Sequence, residues 1–303
     1  MHRLVLLIGS LWYQENKLFD AMIDLHIHTT YSSDGQHTPE EILRMAQDLG
    51  LTALAFADHM EIGAVHEGLR RAQDYALEFF PGLEFSTQHA QQEFHLLYYG
   101  FDSEDSALYE FLHRYCTIIW DQATEIIDHF TGMGFDLERA DIDNWGRSIP
   151  TGFTFLNGLK KRNLKDARLH DYIAGRKSGS PYLNFYKDFL LADLGEGVRE
   201  MLPALTETIA RFHSRGVLIL AHPGYIEQPL LQDLREHGLD GIEVYSTYHD
   251  KETVMYLTEL ARDLALLISA GSDYHGELIK PGISIGDVQG EPSASLLNAL
   301  RKK

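Results

Sequence analysis

Short β-rich apolar runs, each carrying or closely followed by a histidine or a carboxylate, constrain this chain more than any other feature of its sequence. They lie at Ile23–Thr29, Leu51–Ala57, Phe79–Ser86, Phe94–Phe101, Val217–Ala221, Gly241–Tyr245 and Leu266–Ala270. Most are separated by stretches of helical periodicity. Thr38-Pro39-Glu40-Glu41 opens one such stretch with a capping residue, a proline in the first turn and acids on the positive end of the helix dipole, and Gly50 closes it. Further helices are expected over Val65–Glu78, Leu230–His237, Lys251–Leu264 and Ser293–Arg301. From Ser103 the texture changes: a long amphipathic helix over Ala107–Phe130 is followed by helical pieces near Leu156–Lys165, Tyr182–Leu191 and Met201–Ser214, with no strand among them. Strands alternating with helices, with polar residues just after each strand, predict an α/β chain. Its architecture would be a TIM-like barrel interrupted by a mainly helical insertion.

Twenty-six Lys and Arg against 45 Asp and Glu leave a formal charge of −19. That balance argues against a protein that holds long duplex nucleic acid by broad phosphate neutralisation, which needs a cationic face. No apolar run reaches the roughly 18 residues a membrane helix requires, so no membrane partner is expected. Residues 1–21, with His2-Arg3 ahead of Leu4–Tyr13, read as a leader of no structural consequence, and Met22 stands where an alternative start would lie. The single cysteine, Cys116, excludes an intrachain disulfide framework and a cysteine-based zinc ribbon, and fits a reducing, cytoplasmic setting.

Sixteen histidines make the question of their placement decisive. The first run reads Asp24-Leu25-His26-Ile27-His28, and strand alternation puts Asp24, His26 and His28 on one face, where two imidazoles at i and i+2 can share a metal. Ser33-Asp34-Gly35 follows in the loop. The second run ends in Asp58-His59, the third carries Gly82-Leu83-Glu84, and the fourth begins Glu93-Phe94-His95. After the insertion come Ala221-His222-Pro223-Gly224, Glu243, and Gly271-Ser272-Asp273-Tyr274-His275. Any one of these histidines alone reads sooner as a capped core or surface residue, and His66, His113, His129, His170 and His237 fall within expected helices. Jointly, the placement at strand ends points to metal ligation. Imidazole and carboxylate without thiolate suit Zn, Fe or Mn. Nine candidate ligands exceed the three or four that one catalytic zinc uses, so two or three divalent ions are expected, with a carboxylate bridging at least one pair.

These motifs resemble those of the PHP (polymerase and histidinol phosphatase) superfamily, over about residues 22–102 and 214–290. The resemblance implies a distorted (β/α)7 barrel in residues 22–102 and 214–303, a trinuclear metal centre and hydrolysis of phosphoesters by a metal-activated hydroxide. It further implies that His26 and His28 hold a first metal with Asp273, that Glu84 bridges it to a second held by His95 and His222, and that Asp34, His59 and His275 hold a third. Asp34 stands where some histidinol-phosphate phosphatases use a histidine. The insertion, 103–213, resembles in placement the cap of relatives acting on nucleotides and short oligonucleotides. It has Pro150-Thr151-Gly152-Phe153-Thr154 where those carry a Thr-Arg-Pro-His stretch.

Asp24 and Asp58 are expected to orient ligands as acceptors behind them. Residues 160–177 hold seven basic residues against two acids, and Lys160, Lys161, Arg162, Lys165 and Arg168 are candidates for drawing in a phosphorylated substrate, against the alternative of a solvated helix face. Glu243 and His249, near the rim, are candidates for substrate contact. The aromatics Phe153, Phe155, Tyr182, Phe185, Tyr186 and Phe189 read either as a base-stacking cluster or, at helical spacing, as core. The function this supports is hydrolysis of a small phosphomonoester, nucleotide or short oligonucleotide. The alternatives are a histidinol-phosphate phosphatase, a C–N hydrolase of amidohydrolase type, and a non-catalytic metal-binding module.

Overall fold

The computed structural model describes residues 22–142, 148–191 and 201–303; the expected leader lies outside them. In chain order the elements are β1 (Met22–Ile27), α1 (Pro39–Leu49), β2 (Leu51–Phe56), α2 (Gly63–Arg71), β3 (Glu78–Phe80), β4 (Gly82–His89), β5 (Gln92–Tyr99), α3 (Ser106–Gly132), α4 (Arg139–Ile142), α5 (Gly152–Asn163), α6 (Ala167–Ile173) and α7 (Pro181–Phe185), which runs into a π-helical turn, Tyr186–Leu191. Then follow α8 (Leu205–Phe212), β6 (Val217–Leu220), α9 (Gln228–Glu236), β7 (Gly241–Ser246), α10 (Lys251–Asp263), β8 (Leu267–Gly271) and α11 (Ala294–Leu300).

Local chemistry accounts for α1. The Thr38 hydroxyl accepts from the Glu41 amide at 3.3 Å while the Glu41 carboxylate accepts from the Thr38 amide at 2.8 Å, and Gly50 ends the helix at φ 80°. Ile42, Leu43 and Ala46 then pack with Ile27, Leu54 and Phe56. Each fully buried aliphatic there contributes about 1.5 to 3 kcal/mol.

The strands do not form the closed, all-parallel barrel that the alternation suggested. They pair as two open sheets, β1-β2-β3 and β4-β5-β6-β7-β8, and β4–β5 and β5–β6 are antiparallel. Two local causes are visible. Pro81, which has no amide hydrogen to donate, divides the run Phe79–Ser86 into β3, paired with β2, and β4, paired with β5. The β4–β5 hairpin closes through Ala90 and Gln91, both at positive φ (48° and 64°). A two-residue turn of that geometry usually announces itself with Asn-Gly, and this one does not.

The sheets meet along two seams. Tyr274 bridges to Ile27, where the His28 amide donates to the Tyr274 carbonyl at 2.9 Å. His59 bridges to Glu84, where the Glu84 amide donates to the Asp58 carbonyl at 3.2 Å and the Met60 amide to the Glu84 carbonyl at 2.9 Å. Between the sheets Ile23, Leu25, Leu97, Tyr99 and Ile219 form one buried cluster.

α3, about 40 Å long, joins two cores. Leu108, Phe111 and Leu112 pack with Phe85, Tyr98 and Phe212, whereas Ala123, Ile126 and Phe130 pack with Phe135, Phe155, Leu159 and Phe185. Most aromatics of the insertion are therefore core: Phe155 and Phe185 are buried, Phe130 and Phe185 stack at 5.7 Å, Tyr182, Tyr186 and Phe189 lie against them, and Phe153 meets Tyr182 at 4.6 Å. Among the described residues no helix is long and apolar enough to cross a membrane.

Candidate metal centre

The seams bring the strand ends together around Glu84 of β4, which is fully buried. Its Oε1 lies 3.3 Å from His26 Nε2, 3.1 Å from His95 Nδ1 and 3.3 Å from His222 Nε2. Its Oε2 lies 3.2 Å from His28 Nε2 and 3.1 Å from His59 Nδ1. Asp273 Oδ1 stands 3.3 Å from His26 Nε2 and 3.1 Å from His28 Nε2. Asp34 faces His59 Nε2 at 3.7 Å and His275 Nε2 at 3.9 Å. All nine side chains singled out in the sequence thus converge on one cleft. Within it, three sets offer donor atoms at metal-sharing distances: His26, His28, Glu84 and Asp273; His59, Glu84 and His95; and His28, Asp34, His59 and His275.

The donor set fits divalent ions. His26 Nε2, His28 Nε2, His59 Nδ1, His95 Nδ1, Glu84 Oε2 and Asp273 Oδ1 are buried polar atoms without a hydrogen bond, although one such atom costs about 1 to 3 kcal/mol. Six of them facing one another form a cage that cations satisfy. The charge states of the carboxylates suit it as well. Burial alone would raise the Glu84 carboxyl, but His26, His95 and His59 hold it well below the usual range. Asp273 is likewise held down against burial, by Lys280, His275 and His26, and Asp34 by His59 and His275. Among the imidazoles, burial is overcome by carboxylates at His26 and His95, which are raised, and at His28, raised to about 9. At His59 and His275 burial wins, and they fall to about 4 and about 3. Ionised carboxylates and neutral rings are the forms that ligate, so His59 and His275 are ready as they stand, whereas an ion binding here would displace a proton from His26, His28 and His95.

Backbone strain collects here. His222 and Asp273 have φ of 26° and 52°, and Met60, next to His59, 52°. Non-glycine residues hold such conformations only where their surroundings compel them. Gly271 is required for space, because a Cβ there would meet the His26 Cβ at 2.2 Å.

The supporting carboxylates act differently from expectation. Register with β2 slips between Asp24 and Ile27, yet His26 and His28 still present their rings together to Glu84 and Asp273. The Asp24 carboxylate accepts from the amides of His26, Ser272 and Gly286 and from the Ser272 hydroxyl, tying β1 to the segment after β8. Asp58, pushed up to about 7 by burial, accepts from the Thr29 amide and hydroxyl and the Ser32 amide. It thereby shapes the loop on which Ser32 donates to Asp34. Neither touches an imidazole.

Glu243 and His249, read as rim residues able to touch substrate, require correction. Glu243 is fully buried behind His26: its Oε1 is 3.0 Å from His26 Nδ1, and its Oε2 accepts from the His222 amide at 2.9 Å. His249 spends its two ring nitrogens on the Gly224 amide and the Val244 carbonyl.

In the insertion, Arg162 bonds Asp141 and Glu138; Arg168 bonds Asp166 and the Met133 carbonyl and lies over Phe135. Lys160 bonds Asn157 and Lys161 the Asp141 carbonyl, and Lys165 is exposed. The insertion reaches the centre elsewhere: the Ser148 hydroxyl donates to the His59 carbonyl, the Ser33 hydroxyl donates to the Thr151 hydroxyl at 3.2 Å, and the Tyr186 hydroxyl donates to Glu93, itself 3.4 Å from His95 Nε2. These contacts, and that of Lys280 with Asp273, carry no periodic signal that sequence reasoning could use.

Residues 24–145 match the PHP domain family. It is similar to a 5'-3' exoribonuclease of Haemophilus influenzae, 26% identical, with 83% of this chain and 89% of the relative covered. It is also similar to the phosphoribosyl 1,2-cyclic phosphate 1,2-diphosphodiesterase of Eggerthella lenta, 27% identical over 84% and 94%. A solved structure from Bifidobacterium adolescentis, assigned as a metal-dependent phosphoesterase, superposes with a TM-score of 0.73 at 20% identity over 92% and 94% of the two chains, and shares its mixed α/β fold.

Proposed function

We propose that this chain is a metal-dependent phosphoesterase that hydrolyses a small phosphorylated substrate, either a phosphomonoester, a nucleotide or a short oligonucleotide. The observation that carries the reading is Glu84, one buried carboxylate with five imidazole nitrogens 3.1 to 3.3 Å from its oxygens. Two phosphoesterases among the relatives support the reaction class.

His26, His28 and Asp273 would hold one ion, His95 and His222 a second bridged to it through Glu84, and Asp34, His59 and His275 a third. Zn, Fe and Mn all suit the set. Bound there, the cations supply an activated water and offset charge developing on the phosphoryl oxygens. The chain's own part is orientation. With Glu243 Oε1 accepting from His26 Nδ1, the ring's Nε2 lone pair is left toward the cleft. Asp24 fixes β1 against Ser272, and Asp58 fixes the loop bearing Asp34. The two open sheets, meeting at the seams, are read as parts of one distorted (β/α)7 arrangement. Residues 22–102 and 214–303 would form the catalytic part and 103–213 a cap.

The test is phosphate release from nucleotides, sugar phosphates, histidinol phosphate and short RNA by the metal-stripped protein, with and without added Mn, Fe or Zn. Metal-dependent release from at least one class is expected. Release unaffected by chelation, or amide hydrolysis with no phosphate release, overturns the reading.

A further inference from the structure

Five residues beyond His275 the chain returns to the centre with a cation. Lys280 is largely buried, and its three donors are all engaged: Nζ lies 3.0 Å from Asp273 Oδ2, 3.1 Å from the Asp273 carbonyl and 3.0 Å from Thr247 Oγ1. Tyr248 roofs it, the ring centroid 3.8 Å from Nζ. Thr247 is tied in turn, its hydroxyl donating to the Ser272 carbonyl at 3.0 Å.

The residue so gripped is one of the strained ones. Asp273 sits at φ 52°, a region an aspartate occupies only where neighbours hold it. Its two carboxylate oxygens are used unequally. Oδ2 belongs to Lys280, while Oδ1 makes no hydrogen bond and points between His26 and His28. A free carboxylate rotates readily about its terminal torsion, and a cation on one oxygen stops that rotation.

We propose that Lys280 is a positioning residue: by clamping the carbonyl and Oδ2 of Asp273 it keeps Oδ1 turned toward His26 and His28, and so strengthens the hold of this part of the centre on a divalent cation. The inference rests on the metal-centre reading above. It opposes simple electrostatics, because a lysine ammonium beside a cation site repels the ion. Removing a mere counter-charge would tighten metal binding, whereas removing a clamp loosens it.

The experiment is calorimetric titration of the chelator-stripped, full-length protein with Mn2+, for wild type, Lys280→Met, Lys280→Arg and Thr247→Val. Metal-free thermal unfolding of each variant serves as the folding control. Lys280→Met should bind its weakened ion about 10- to 100-fold less tightly, the range for losing an outer partner of a ligand, and Lys280→Arg should recover part of the loss. Thr247→Val alters no charge yet frees one side of the ammonium, so it should weaken binding in the same direction by a smaller factor. It decides the matter if Lys280→Met does not fold. Wild-type or tighter affinity in Lys280→Met, with Thr247→Val unchanged, overturns the clamp while leaving the metal centre standing. A wild-type protein that takes up neither Mn, Fe nor Zn removes both together.

Discussion

Replacing Glu243 by Gln changes one oxygen to an NH2 group and tests what holds His26. In the native arrangement Oε1 accepts from His26 Nδ1 at 3.0 Å and Oε2 from the His222 amide at 2.9 Å, in a site without solvent exposure. A glutamine cannot serve both donors. If its oxygen faces His26, its NH2 meets the His222 N–H, and a buried donor loses its acceptor at a cost of about 1 to 3 kcal/mol. If its oxygen faces the His222 amide, the NH2 donates to His26 Nδ1. The ring proton then moves to Nε2, which removes the lone pair directed at Glu84 and Asp273. At about 1.4 kcal/mol per decade the first arrangement corresponds to roughly 5- to 150-fold, overlapping the 10- to 100-fold that outer partners of metal ligands control. We expect Glu243→Gln to lose affinity by that factor for one ion, measured by competition with a chromogenic chelator, while its far-UV circular dichroism stays native. Affinity within about twofold of wild type would refute the reasoning, and Glu243 would then be a filler rather than the group that sets the His26 tautomer.

Glu84→Ala should abolish metal uptake and turnover together while the chain stays folded, because the carboxylate shared by five imidazoles has no substitute; activity in a metal-replete Glu84→Ala protein would reject its bridging role. Asp24→Ala withdraws the acceptor of four buried hydrogen bonds and should cost about 3 to 5 kcal/mol, read from urea unfolding at saturating metal, with some donors regaining water. Arg162→Ala and Arg168→Ala should leave kcat/KM within roughly twofold at low and high salt, since exposed ion pairs are worth little and these guanidinium groups are spent on Asp141, Glu138 and Asp166; a steep, salt-sensitive rise in KM would place them at the substrate instead. Burial pushes the Cys116 thiol up to about 12, so below that pH it stays protonated, and maleimide at pH 8 should label the native protein far more slowly than the urea-unfolded one.

Much of the candidate site was legible because side chains near strand ends obey local rules. His26, His28, Asp34, His59, Glu84, His95, His222, Asp273 and His275 each stand at or just beyond a β-rich run, and the capping box of α1 is written in four consecutive residues. What went unread had specific causes. Pro81 did signal a break in Phe79–Ser86, but which sheet each half would join depends on pairing partners elsewhere in the chain. The Ala90-Gln91 turn lacks the residues that mark a hairpin, so the antiparallel strands looked parallel. Asp24 spends its carboxylate on Ser272 and Gly286, 248 and 262 residues further along the chain, which alternation cannot foresee. Glu243 lies 217 residues from His26, and the same sequence neighbourhood would serve a rim residue or a buried orienter equally well. By itself the sequence determined periodicity, caps and which chemically capable side chains stand at strand ends, because those depend on contacts a few residues long. Only the tertiary structure decided which carboxylate faces which ring, because the desolvation and geometry that set those pairings arise when distant strand ends close around a common centre.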